Sequence, residues 1–168
     1  MKTIPVGKFH AIVDDDLFEE LSRHKWHPLS KPRGAVYAGR NKCLPDGSWY
    51  KAQMHREVLG LAPGDGVFCD HINGNGLDNR RENLRRATPQ QNAHNIRSSY
   101  NQKRGGFVGV HLFKRVGKWT AYYTQPNPAG TGRGKRVHLG YFNSAEEAAR
   151  ARDKAILAAH GSFAAPNF

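Results

Sequence analysis

The stretch Asp70-His71-Ile72-Asn73-Gly74-Asn75, followed by Asn83-Leu84-Arg85-Arg86 and then Asn92-Ala93-His94-Asn95, decides how this chain is read. Val67-Phe68-Cys69 has strand character. Asn73–Gly76 is turn chemistry, because glycine takes the positive φ angles that a tight turn demands. Beyond it, Thr88 suits a helix N-cap, Pro89 the first helical position, and Gln91 completes a T-x-x-Q capping box. A helix is therefore predicted from Thr88, with Asn92 and Asn95 on roughly one face.

These residue types have a chemistry in common. Phosphodiester hydrolysis needs a base for water, neutralisation of charge on the phosphorane and stabilisation of the leaving oxygen. Asp70 offers a carboxylate oxygen and Asn92 an amide oxygen. Two protein ligands leave positions open for phosphate and water on a hard divalent cation. His71 follows Asp70 directly and is a candidate base. Neighbours on a strand point to opposite faces, so either the hairpin is distorted or His71 stands across the water from the metal. Asn83 is placed to fix the loop or the imidazole. A lone Asp-His pair is more often structural than catalytic, and an Asn-Gly pair usually means only a turn; the whole arrangement carries the inference.

Working outward, residues 1–60 read as mixed strand and helix. Phe9–Val13 is a short strand. Asp14-Asp15-Asp16 opens a short helix ending near His24, its acids suited to the helix N-terminus. Two strands, Ala35–Lys42 and Ser48–Met54, flank the turn Pro45-Asp46-Gly47, and a brief helix from His55 stops at Pro63-Gly64. Ser98–Gly106 is polar, basic and ends in Gly-Gly, which marks a linker. Residues 107–168 read as strands Phe107–Lys114, Trp119–Gln125 and Lys135–Phe142. A helix follows, opened by a Ser144-x-x-Glu147 capping box and closed at Gly161. Alternation sorts this sheet. Val110, Leu112, Trp119, Ala121, Tyr123, Val137 and Leu139 form an apolar face expected to meet Ala148, Ala151, Ala155 and Ala159 of the helix. His111, Phe113, Arg115, Tyr122, Thr124, Arg136 and His138 form the opposite face, a basic and aromatic surface suited to nucleic acid.

The 168 residues suit two small domains. Lys and Arg number 26 against 14 acids, a net +12, and a positive excess this large favours a polyanionic partner. Residues 1–79 are net neutral, while 80–104 and 105–168 each carry +6, so the positive field starts just past the Asp70–Asn75 stretch. Cys43 and Cys69 form no CxxC pair, and nine scattered histidines give no zinc spacing. No apolar run has membrane-spanning length, and the N-terminus lacks a signal-peptide core. These features predict a cytoplasmic protein (the bacterial host's cytoplasm, if phage-encoded).

The run DHINGNGLDNRRENLRRATPQQNAHN resembles the HNH homing endonucleases of phages and mobile introns over about His55 to Ile96. The resemblance implies a ββα-metal fold in which Asp70 and Asn92 bind one Mg²⁺ or Mn²⁺, with Asn95 as the alternative ligand. It implies that His71 is the general base and that Asn83 orients the hairpin and base. His55 matches a segment preceding the site and is given a structural role. The family often has an aromatic where Arg86 stands. Residues 107–168 resemble the DNA-binding domain of plant ethylene-response factors, also found fused to phage HNH nucleases. The residues that carry this are Gly109-Val110, Lys118–Ala121, His138–Phe142, Glu147–Asp153 and Asn167-Phe168. In that family three strands enter the major groove and the helix packs behind them.

The expectation is an α+β protein with an HNH domain at 1–97 (core about 55–96), a linker at 98–106 and a three-stranded-sheet-plus-helix DNA-binding domain at 107–168. It acts on double-stranded DNA as a monomer or weak dimer and nicks it. Backbone contacts are expected from Arg80, Arg81, Arg85, Arg86, Arg97, Lys103 and Arg104. The alternative is a non-catalytic, sequence-specific DNA-binding regulator.

Overall fold

The computed structural model describes residues 1–30, 35–94, 106–127 and 134–168. They form a mixed α and β protein in two compact units, Met1–Thr88 and Pro89–Phe168. Asn95, Arg97, Lys103, Arg104 and nearly all of the expected linker lie outside the described residues.

The first unit opens with a hairpin of β1 (Lys2–Val6) and β2 (Phe9–Val13). Strand β1 was not read from the sequence, and Pro5 lies within it. Proline is tolerated in a strand whose outer edge needs no ladder hydrogen bond. Ile4, Val6, Ala11 and Val13 point inward from this hairpin and are buried with Leu21, Trp26, Ala38 and Met54 in one core. Trp26 satisfies its buried indole N–H on the Leu21 carbonyl at 2.8 Å. The helix α1 (Phe18–Ser22) carries Glu19 and Glu20 in its first turn. The preceding acids Asp14 and Asp16 do something other than start the helix, as described below.

A second sheet has the order β3 (His27–Ser30), β4 (Val36–Cys43), β5 (Trp49–Gln53), all antiparallel. Pro28 sits in β3, again an edge strand. Helix α2 (Met54–Val58) follows β5 directly, and its Glu57 forks onto Arg40 of β4 at 2.9–3.4 Å. The hairpin that matters most is β6 (Phe68–His71) with β7 (Leu84–Ala87), in the register Asp70↔Arg85 and His71↔Leu84. A single 3₁₀ turn, Arg81–Asn83, leads into β7.

The second unit begins with α3 (Pro89–His94). Strands β8 (Val110–Phe113), β9 (Lys118–Gln125) and β10 (Lys135–Phe142) form an antiparallel sheet of order β10-β9-β8. Helix α4 (Ala145–His160) packs on it. Ser144 accepts the Glu147 N–H at 3.1 Å, and Glu147 reaches back to the Asn143 N–H. Gly161 closes the helix at φ +54°. The buried side chains of α4 are Ala148, Ala149, Asp153 and Ile156. This line is rotated from the Ala148/Ala151/Ala155/Ala159 stripe expected from sequence, because Asp153 is drawn inward. It accepts the Asn167 backbone N–H at 2.7 Å, the Asn167 Nδ2 at 3.0 Å and the Phe168 N–H at 3.1 Å. A buried carboxylate this well bonded is compatible with a core. On the sheet, Val110 and Ala121 are buried and Trp119 and Leu139 partly so, whereas Leu112 is exposed at the sheet edge.

Candidate active site

The loop between β6 and β7 is held by its own asparagines and by β2. Asn73 Oδ1 accepts the Asn75 N–H at 2.8 Å, and Gly74 takes φ +74°, which is the turn the sequence indicated. Asn83 Oδ1 accepts the Asn73 N–H at 3.0 Å, and Asn83 Nδ2 donates to the Asp78 carbonyl at 2.8 Å. One amide thus ties both ends of the loop to the start of β7. From outside, Ile12 of β2 clamps the loop through its backbone. Its N–H donates to the Leu77 carbonyl and its carbonyl accepts the Asn79 N–H, both at 2.8 Å. Asp14 Oδ2 accepts the Arg81 N–H at 2.9 Å, and Asp16 accepts from the Arg81 guanidinium at 2.8–3.0 Å. Asp14 and Asp16 therefore anchor the site loop.

Within this frame Asp70 and His71 are both buried, 4% and 5% exposed. Alternation along β6 sends them to different partners. Asp70 Oδ2 takes Arg85 Nε at 2.7 Å and Nη2 at 2.5 Å. His71 Nε2 lies 3.4 Å from Asn79 Oδ1, and its ring packs against His55 of α2 (centroids 5.0 Å apart) and Tyr37 of β4 (5.5 Å). Burial pushes the His71 pKa below its ordinary value, against the opposing pull of Asn79, Asp70 and Asp78. Asp78 is buried and forked onto Arg80 at 2.8 Å, which holds its carboxyl below the usual range despite burial.

The hairpin brings Asp70, His71 and Asn83 into one folded block. Asn92 lies on α3, in the second unit. Sequence reasoning missed Asn79, fully buried beside His71, and Tyr37. Nothing local marks them, since Tyr37 comes from a strand far away in sequence. It also missed how many cations of the basic run are already paired. Arg80 holds Asp78 and Glu82, Arg85 holds Asp70, and Arg81 holds Asp14 and Asp16. Arg86 donates to the Leu59 carbonyl at 3.3 Å.

Among the described residues no group of three or more His, Cys, Asp or Glu is close enough to hold a metal, so a tetrahedral zinc cage is not built there. Asp70 supplies a hard carboxylate oxygen of the type that Mg²⁺ and Mn²⁺ take, usually with water and phosphate completing the shell, and in that respect its chemistry fits such an ion.

In the second unit His111, Phe113, Thr124, Arg136 and His138 are exposed and Tyr122 is half-buried. Arg115 sits in the turn after β8. Arg136 lies over the Tyr122 ring, 4.1 Å from its centroid, and His138 stacks beside it at 4.9 Å. The register Arg136↔Thr124 and His138↔Tyr122 shifts before Gly140↔Ala121 and Tyr141↔Thr120. Leu139 is the extra residue of this β-bulge, and Gly140 adopts φ +122°. Tyr141, which simple alternation puts on the helix side, is thereby carried to the opposite face. There its ring lies 5.0 Å from His138 and 5.7 Å from Phe113.

Residues 54–94 match the family model described as HNH endonuclease. Ninety-one residues are 37% identical to an uncharacterized HNH endonuclease of Acanthamoeba polyphaga mimivirus, covering 51% of this chain and 47% of that protein. Sixty-two residues are 44% identical to dehydration-responsive element-binding protein 1J of Oryza sativa, in both the indica and japonica subspecies, covering 37% of this chain and 24% of the plant protein. The chain thus spans about half the length of the first relative and about a quarter of the plant ones. No solved structure matches the chain significantly. The loop-and-hairpin site therefore lies in a segment similar to HNH endonucleases. The chain joins this segment to a stretch similar to a plant DNA-element-binding protein.

Proposed function

We propose that the protein is a metal-dependent DNA endonuclease of the homing type. It nicks duplex DNA with residues 1–97 and grips it with the sheet within residues 107–168. The observation that carries this is the buried His71 at the end of β6, beside a loop held by Asn83, Ile12, Asp14 and Asp16. Its imidazole is biased toward the neutral form that a general base requires. Asn79 Nδ2 donates to the Leu77 carbonyl at 3.3 Å, so Asn79 Oδ1 is the atom that faces His71 Nε2. Asn79 thereby orients the imidazole, and His71 takes the proton from water. Asn83 holds the loop that positions both groups.

Asp70 and Asn92 would hold the Mg²⁺ or Mn²⁺ ion, which would supply neutralisation of charge on the phosphate and on the leaving oxygen. Asn95 is the alternative ligand. The domain assignment is catalytic residues 1–97, linker 98–106 and DNA-binding residues 107–168. Backbone contacts fall to Arg81, Arg86 and Arg97 and to the linker cations Lys103 and Arg104, and the remaining DNA contacts to the sheet face of His111, Phe113, Arg115, Tyr122, Thr124, Arg136 and His138. Arg80 and Arg85 serve mainly inside the site, given their carboxylate partners. One site per chain cuts one strand unless two chains act together. Among the described residues no helix is long and apolar enough to cross a membrane.

The arginine on Asp70 favours a second reading, a DNA-binding regulator whose HNH segment is only a scaffold. A plasmid-nicking assay with Mg²⁺, Mn²⁺ or EDTA separates the two. Metal-dependent nicking should fall by about 10²–10⁴-fold in His71→Ala, with DNA affinity unchanged. Binding without cleavage, or equal loss of both in His71→Ala, supports the regulator.

A further inference from the structure

The β-bulge at Leu139-Gly140 changes what the exposed face of the second sheet presents. With Tyr141 turned outward, four rings run in file: Phe113, Tyr141, His138 and Tyr122, with Arg136 over the last. Thr120 lies buried beneath the file, its Oγ1 2.8 Å from His138 Nε2, which fixes the imidazole in the middle. The two ends differ in chemistry. One has Arg136, His138 and Thr124, able to donate to phosphates and base edges. The other has two aromatic rings, Phe113 39% and Tyr141 52% exposed, with Lys118 opposite Phe113 in the register.

Large exposed aromatics on a face otherwise lined by cations need an apolar partner within a polyanion. In the major groove of duplex DNA the apolar feature is the thymine C5-methyl group. The file spans β9 from Lys118 to Thr124, about 20 Å at the rise of a strand, which corresponds to roughly six base-pair steps. We propose that Tyr141 and Phe113 are specificity residues that contact thymine methyls at one end of the bound site, with Arg136 and His138 serving the other end. This rests on the DNA-binding role given to the sheet above.

The test uses the full chain in EDTA, so that DNA is not cut. Duplexes are enriched by binding from a random pool, and the winning site is resynthesised with uracil in place of thymine, which removes only the methyl. The expected result is thymine clustered at one end of the site. Affinity should fall about fourfold for each methyl removed, the value of burying one such group. Tyr141→Ala and Phe113→Ala should each lose part of the preference for thymine, and the double variant should bind the thymine and uracil duplexes alike. Both side chains are exposed, so neither change threatens the fold. Arg136→Ala should weaken both duplexes equally. Equal affinity of the unaltered protein for thymine and uracil duplexes, or an enriched site without thymine, overturns the proposal while leaving DNA binding intact. If the pool yields no salt-sensitive binding, the DNA-binding role itself fails.

Discussion

Replacing Asn83 by alanine is the sharpest way to ask whether the site loop depends on one amide. The side chain is 6% exposed and makes two hydrogen bonds to loop backbone. Its loss strands the Asp78 carbonyl in a buried position and the Asn73 N–H at a more exposed one. A buried group left unsatisfied costs about 1–3 kcal/mol. We assign about 2 kcal/mol to Asp78 and about 1 kcal/mol to Asn73, which water reaches more easily. A loss of about 3 kcal/mol in a unit of this size lowers its melting temperature by about 12–24 °C. Asn83→Asp keeps the acceptor for Asn73 but sets a carboxylate oxygen against the Asp78 carbonyl, so it should rescue little. Calorimetry of the full chain reads the melting of the first unit, and plasmid nicking well below that temperature reads the site. Nicking should drop further than the unfolded fraction accounts for. A stability loss under about 1 kcal/mol in Asn83→Ala would refute the claim that this amide holds the loop.

Three further outcomes are expected. Gly76→Ala places a Cβ 2.5 Å from the Val36 carbonyl and 2.7 Å from the Tyr37 ring. It should displace the ring that packs on His71 and depress nicking more than DNA binding, both measurable on one preparation. Burial pushes the Cys69 thiol up to about 12, while Cys43 is exposed. A thiol reagent at pH 8 should therefore label Cys43 quickly and Cys69 only on unfolding, read by mass spectrometry. The Asp78 carboxyl is held low by Arg80. Its contribution is full above the unfolded carboxylate pKa of about 3.9 and is lost as pH falls through the lower folded value. Acid titration should show Asp78→Asn losing less stability below about pH 4 than the unaltered protein does.

What the sequence made legible was local. The Asn73-Gly74 turn, the Ser144 and Glu147 cap, the Gly161 stop and most strand centres follow from backbone preferences that a few neighbouring residues express. Contacts across long sequence separations were not legible. Nothing near Ile12 announces that its peptide groups bond Leu77 and Asn79. The three acids at 14–16 looked like a helix start until Arg81 came back to two of them. Likewise, seven cations after Asp78 read as an open basic run, because charge pairing depends on which carboxylates the fold delivers. The bulge at Gly140 defeats alternation for a simple reason: one inserted residue reverses parity, and a glycine in a strand signals a bulge without fixing which neighbour is extra. For the candidate site, His71, Asp70 and Asn83 were visible as residue types in a spacing. Asn79, the residue that meets the His71 ring nitrogen, was not.

The clamp from Ile12 bears on how the matched segment can be moved between proteins. The matched segment starts at residue 54, yet the strand that closes its loop lies within the first thirteen residues, and the apolar core under it is drawn largely from residues 4–38. A graft cut at the segment's edges would transplant every proposed reactive atom and leave behind the scaffold that aligns them. For engineering, and for any recombination that shuffles this module onto a new DNA-binding partner, the working cassette must include both strands of the Lys2–Val13 hairpin.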